Sequence, residues 1–145
     1  MNPRRPSFVR TGEYATWDPA SVVLQFVERI NEHDVEGLIR LITPEHRFID
    51  AQGNVIQGRE NIRGAWQFFF EAVPGYWLKV EDFSREGDTV AVIGTAQGIR
   101  PGEGTPEERC WRTPVAVWAR VENEKVSEWR VFADLEPLRQ PGQVS

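Results

Sequence analysis

The stretch His46-Arg47-Phe48-Ile49-Asp50, Ala51-Gln52-Gly53-Asn54, Val55-Ile56-Gln57, Gly58-Arg59-Glu60-Asn61-Ile62 holds a short strand, a turn, a short return and a helix start. The alternation puts Phe48 and Asp50 on one face of the first strand. A carboxylate beside an aromatic on a strand face has two readings. In a pocket, desolvation raises its pKa and makes it a candidate proton acceptor. At a sheet rim, it is a hydrogen-bonded group that ends the strand or caps the following turn.

Upstream the pattern is helical. Asp18-Pro19 supplies a cap and a first-turn proline, and Val23, Phe26, Val27 and Ile30 follow i, i+3, i+4, i+7. Asp34 caps a second, shorter helix with Val35, Leu38, Ile39 and Ile42 inward, which Thr43-Pro44 should stop, so the first strand is expected at about 46–50. Residues 1–18 lack any period and read as a loose arm, with Phe8, Tyr14 and Trp17 as docking points. Downstream, a third helix over about 59–72 carries Trp66, Phe69 and Phe70 before Val73-Pro74-Gly75 breaks it. Four strand-like segments follow, at about 76–85, 88–99, 109–122 and 125–135. Helices first, then a meander of antiparallel strands, is an α+β layout. The expected domain is 19–136, with a tail over 137–145.

The totals exclude several functions. A chain of 145 residues, 40% hydrophobic and 27% charged, suits one soluble domain. Its net charge of -5 argues against nucleic acid, which needs clustered Lys and Arg. No apolar run approaches the roughly 18 residues of a membrane span, and no signal-peptide core opens the chain. Cys110 is the only cysteine, so no internal disulfide forms and a cytoplasmic setting is expected. His33 and His46 lack metal-ligand spacing, and phosphate-binding glycine loops and serine-nucleophile elbows are missing, so neither a metal nor a cofactor is expected. Six Trp and eight Phe are many for this length; they fill a core or line a cavity for an apolar ligand.

The order of elements, with Phe26-Val27-Glu28-Arg29-Ile30-Asn31-Glu32-His33-Asp34, Phe48-Ile49-Asp50, Gly58-Arg59-Glu60 and Glu124-Lys125-Val126-Ser127-Glu128-Trp129-Arg130, resembles the NTF2-like superfamily, in its SnoaL-like and ketosteroid-isomerase-like branch. The resemblance covers about 19–136 and implies a cone-shaped (cystatin-like) fold, in which a curved sheet wraps a conical cavity. Ketosteroid isomerases use a Tyr on the first helix, a protonated Asp on a late strand and an Asp base at the end of the first strand. Those positions fall on Phe26, on Ala116 and on Asp50. Phe26 and Ala116 offer no hydrogen-bond donor, and losing one oxyanion donor costs roughly two to three orders of magnitude in rate. Limonene epoxide hydrolases are also similar near Trp129-Arg130, but Val131 stands where one of their Asp groups would be, and Gly94-Thr95-Ala96-Gln97-Gly98 lacks their Arg-x-Asp. SnoaL-type polyketide cyclases need chiefly one acid/base carboxylate and a shaped apolar cavity.

The resemblance therefore implies a cofactor-free isomerase or cyclase acting on a hydrophobic carbonyl compound, with Asp50 as base. Phe26, Phe48, Trp66, Phe70, Arg112, Ala116, Trp118 and Trp129 would shape the pocket. The Trp66–Phe70 stripe is more often core than ligand contact, and Arg112 more often a surface residue. Tyr76 and Trp77 point opposite ways, so at most one faces the cavity. The alternative is a non-catalytic binder of a small apolar molecule, or an assembly protein. Val115, Val117 and Val121 with Val126 and Phe132 are expected on the outer face, where they would support a homodimer.

Overall fold

Asp18 opens the first helix by accepting a hydrogen bond from the Ala20 amide at 2.9 Å, with Pro19 in the first turn where no amide is needed. The computed structural model describes residues 18–134 and Glu136; Phe8, Tyr14, Trp17 and the tail over 137–145 lie outside the described residues. Helix α1 spans Pro19–Asn31 and buries Val23, Phe26, Val27 and Ile30, the face that the spacing predicts. Asp34 then caps α2 (Val35–Arg40) through the Gly37 amide at 2.9 Å.

The next boundary differs from expectation. Helix α2 ends at Arg40, and β1 runs over Ile42–Ile49, so Thr43 and Pro44 belong to a strand. The cause is a distant partner: Ile42 pairs with Val126, whose amide donates to the Leu41 carbonyl oxygen at 2.7 Å. The register shifts between Ile42 and Arg47, and Pro44, which has no amide to offer a ladder, falls in that irregular stretch.

Strand β2 (Val55–Gln57) returns antiparallel on β1 and leads into α3 (Arg59–Ala72). Strands β3 (Trp77–Glu86) and β4 (Thr89–Ile99) form a hairpin. The Glu-rich connection after β4 contains one helical turn, α4 (Pro106–Arg109), closed by a reciprocal Thr105–Glu108 capping box. Strands β5 (Cys110–Glu122) and β6 (Lys125–Ala133) follow. Asn123 and Glu124 join them with φ of 51° and 67°, the left-handed pair that matches the twist of a two-residue hairpin.

The six strands form one sheet in the order β2-β1-β6-β5-β4-β3, with β1 parallel to β6 and every other pair antiparallel. The helices cover its inner face. Phe26 of α1 is fully buried, with its ring 4.5 Å from that of Trp129 on β6. The α+β layout that the order of helices and strands implies is therefore the observed one. Among the described residues no helix is long and apolar enough to cross a membrane.

The side of the sheet assigned to β5 is reversed. Val115, Val117 and Val121, expected outside, are buried, as is Val126 on β6; only Phe132 of that set faces out, at 50% exposure. The other phase of β5 carries Arg112, Arg120 and Glu122, whose charges demand water, and Ala116 and Trp118 share that phase.

Candidate functional site

Inner-facing residues of the sheet and one face of α3 leave a cavity of about 410 Å³ between them. Its helical wall is Ile62, Ala65, Trp66, Phe68 and Phe69, with Ile30 of α1. Trp111, Thr113, Val115 and Val117 of β5 form the largest contribution from the sheet, flanked by Leu78 and Ala96 on one side and Trp129, Val131 and Ala133 on the other. Phe68 is 72% exposed, and Asp50, Ala51 and Ile56 are partly exposed, so these residues form the rim.

Aromatic rings run along the wall in contact with one another. Phe48 meets Trp66 at 5.6 Å and 89°, Trp66 meets Phe69 at 5.9 Å and 85°, and Phe69 meets Tyr76 at 4.7 Å and 77°. All four of these residues line the open volume, and an aromatic wall favours an apolar guest. Trp111 continues the series 6.2 Å from Tyr76. Its indole occupies space that Gly98 leaves across the β4–β5 ladder, because a Cβ there would lie 2.7 Å from the ring.

Polar groups are few. The Thr113 hydroxyl is committed, donating to the Asp134 carbonyl oxygen at 3.0 Å. The Trp66 indole N–H is buried in the wall without a partner among the described residues. Tyr76 lines the cavity, and its neighbour Trp77 points away with 41% exposure. Burial among apolar groups pushes the Tyr76 phenol up to about 12, so it stays protonated.

Asp50 lies on the cavity rim, as its strand position implies, but not in the electrostatic state expected of a buried base. Partial desolvation raises its pKa, yet donors in the turn outweigh it and leave the carboxyl below its ordinary value. Oδ1 accepts from the Asn54 and Gln52 amides, both at 2.9 Å, and Oδ2 accepts from the Asn54 side chain at 3.1 Å. Each donor stabilises the ionised form. The turn also fixes where the carboxylate points.

The other expected pocket residues divide. Phe48, Trp66 and Trp129 line the cavity. Phe26 packs beneath it, against Trp66 and Trp129. Phe70 sits outside the lining, stacked on the His33 ring at 4.3 Å and 6°. Arg112, Ala116 and Trp118 are on the outer face of β5, because inner and outer residues alternate and the inner phase is Trp111, Thr113, Val115 and Val117. Arg112 donates there to Gln97 at 3.3 Å, and the Arg120 guanidinium lies over Trp118. Sequence reasoning missed Phe68, Trp111, Thr113, Val115 and Val117 as lining residues. The charges at Arg112, Arg120 and Glu122 were the signal that places the four on β5.

A family model described as the SnoaL-like domain matches residues 23–129. Among solved structures, the chain is similar to a protein of ketosteroid isomerase-like fold from Catenulispora acidiphila, solved with trimethylamine, at 20% identity and a TM-score of 0.74 over 85% of this chain and 93% of that one. It is similar to IdmH, a candidate polyketide cyclase from Streptomyces antibioticus, at 23% identity and a TM-score of 0.74 over 88% and 100% of the two chains. An NTF2-like protein from Burkholderia thailandensis matches at 20% identity and a TM-score of 0.72 over 88% and 99%. At these identities the likeness shows the fold. No match is found among curated proteins.

Proposed function

This chain belongs to the SnoaL-like family, a fold whose activity depends on the side chains in its cavity, and we propose that it binds a flat, largely apolar carbonyl compound of two or three fused rings. The observation that carries this reading is the open cavity of about 410 Å³ walled by aromatic side chains, with an ionised carboxylate held at its rim. Polyketide-like polycyclic phenols combine that shape with a hydroxyl that Asp50 can accept. The test is saturable quenching of tryptophan fluorescence by a panel of naphthols and hydroxyanthraquinones. An Ala96→Trp variant, checked for folding by circular dichroism, fills the cavity and should abolish the quenching. Absence of saturable binding across the panel, or unchanged binding in a folded Ala96→Trp protein, rejects the reading.

A second reading adds proton transfer, on the ground that the turn holds the ionised Asp50 carboxylate in one place at the cavity rim. Such a carboxylate can remove an acidic hydrogen next to a ligand carbonyl and return it, as cofactor-free isomerases and cyclases require. The turn donors lower its basicity, so the reading needs an acidic C–H. Deuterium uptake beside the carbonyl of a tetralone, followed by proton NMR, would report it. Asp50→Asn should stop the exchange while leaving the fold intact, and equal exchange rates in the two proteins would remove Asp50 from the chemistry.

A further inference from the structure

Tyr76 holds the other polar group available to a guest. Its backbone is anchored from α1 and the turn that follows it. The Tyr76 carbonyl oxygen lies 3.0 Å from Nε2 of His33, and His33 is in turn clamped flat against Phe70. Two residues on, Leu78 exchanges a pair of hydrogen bonds with the Asn31 side chain, at 2.8 and 3.0 Å. Gly75, with φ of 73°, makes the turn that swings Tyr76 into the wall. The ring is held edge-to-face by Phe69 and flanked by Trp111.

The side chain is thus fixed, while its hydroxyl has no hydrogen-bond partner among the described residues. A half-buried phenol left unpaired in an apolar wall forgoes a favourable interaction. The neighbouring donors are not equivalent: Thr113 is engaged with Asp134, and the Trp66 N–H is buried within the wall. Tyr76 and Asp50 also stand toward opposite ends of the aromatic series. Asp50 is two residues from Phe48, which starts it, and Tyr76 follows Phe69 near the other end. Their chemistry is opposite as well. The ionised carboxylate only accepts, whereas the neutral phenol can donate.

We propose that the cavity selects two-ended ligands, flat molecules whose carbonyl oxygen accepts a hydrogen bond from the Tyr76 hydroxyl while a hydroxyl at the far end donates to Asp50. Tyr76 is then a specificity-determining residue that fixes which way round the guest enters. This rests on the cavity binding reading above and adds the orientation and the second polar contact. Sequence matching offered Phe26 and Ala116 as the places for a donor, and neither carries one; Tyr76 comes from a different element, the start of β3.

The test uses three naphthalene probes on the full chain: a hydroxynaphthaldehyde with its groups at opposite ends, a naphthol and a naphthaldehyde. Tyr76→Phe keeps the ring and removes only an unpaired hydroxyl, so its thermal unfolding should match the parent. It should weaken the two aldehydes by about fivefold to tenfold, the effect of one neutral hydrogen bond, and leave the naphthol unchanged. The infrared carbonyl stretch of the bound aldehyde should move to higher wavenumber in the variant. Asp50→Asn should show the complementary pattern, weakening the hydroxyl-bearing probes alone. Equal affinity of all three probes for the parent and Tyr76→Phe, or an unmoved carbonyl stretch, overturns the inference while the cavity reading stands. Failure of every probe to bind the parent overturns both.

Discussion

His46 is fully buried on β1, with Nδ1 2.8 Å from the Val126 carbonyl oxygen. That contact requires Nδ1 to carry the proton, so Nε2 is the bare nitrogen, and it is buried without a partner among the described residues. Burial pushes the imidazole down to about 4, against a smaller upward pull from the Val126 hydrogen bond. The unfolded chain takes up this proton near pH 6.5, whereas the folded chain does so only near 4. Stability therefore falls as pH drops through that window, by about 3 kcal/mol in all, and this group contributes no further loss below it. Urea unfolding of the parent and His46→Gln at several pH values from neutral to 4 should show a steeper loss in the parent. Parallel curves would remove His46 as the source. Asp50 gives the companion lesson. Its place at a strand end beside Phe48 was legible in the spacing, but its charge state was not. That state depends on amide directions in the Gln52–Asn54 turn, which residue types alone do not specify.

Strand β5 shows what an element's pattern can and cannot tell. Its apolar residues occupy both phases, because Ala116 and Trp118 are nearly as hydrophobic as Val115 and Val117, so hydrophobicity alone does not choose the inner face. The charges choose it. Matching to a family's donor position instead placed Ala116 inside, and a one-residue error of phase moves every side chain to the other face. The helices were easier to read, since caps and 3.6-residue spacing are local: Asp18, Asp34 and the face from Val23 to Ile30 all act as the sequence implies. The β4–β5 ladder also supports a prediction. Gly98 stands across from Trp111, and a Cβ there would meet the indole at 2.7 Å and Val73 at 2.9 Å. Gly98→Ala should drive Trp111 toward the cavity and destabilise the fold by about 1–3 kcal/mol through overpacking. Chemical denaturation gives the loss of stability, and weaker quenching by naphthol reports the displaced indole. A variant as stable as the parent with full ligand affinity would show that the ring relaxes elsewhere.

At the scale of the whole molecule, helices followed by a long meander were enough to place a curved sheet over a helical layer. The strand order of that sheet was not readable, because the parallel pairing of β1 with β6 joins residues some 80 positions apart, such as Phe48 and Trp129. Its consequence is a continuous outer face on which Ile93, Ala116 and Phe132 fall in one row across β4, β5 and β6. Ile93 is 57% exposed and Phe132 is 50% exposed, so the row leaves apolar area in water at the centre of the sheet. Arg130 lies over the Phe132 ring at 5.3 Å, and Glu128 and Glu81 stand nearby on the same strands or their neighbours. Charges of both signs around an apolar centre suit contact with a second copy of the same face, since a two-fold axis brings each patch onto itself. The homodimer expected from sequence would therefore use Ile93 and Phe132, with Val115 and Val117 remaining inside each subunit. Analytical ultracentrifugation at micromolar concentration should find a dimer for the parent and a monomer for Phe132→Glu, with the cavity still able to bind naphthol. A monomeric parent, or a Phe132→Glu protein that remains dimeric, would rule this face out as the contact.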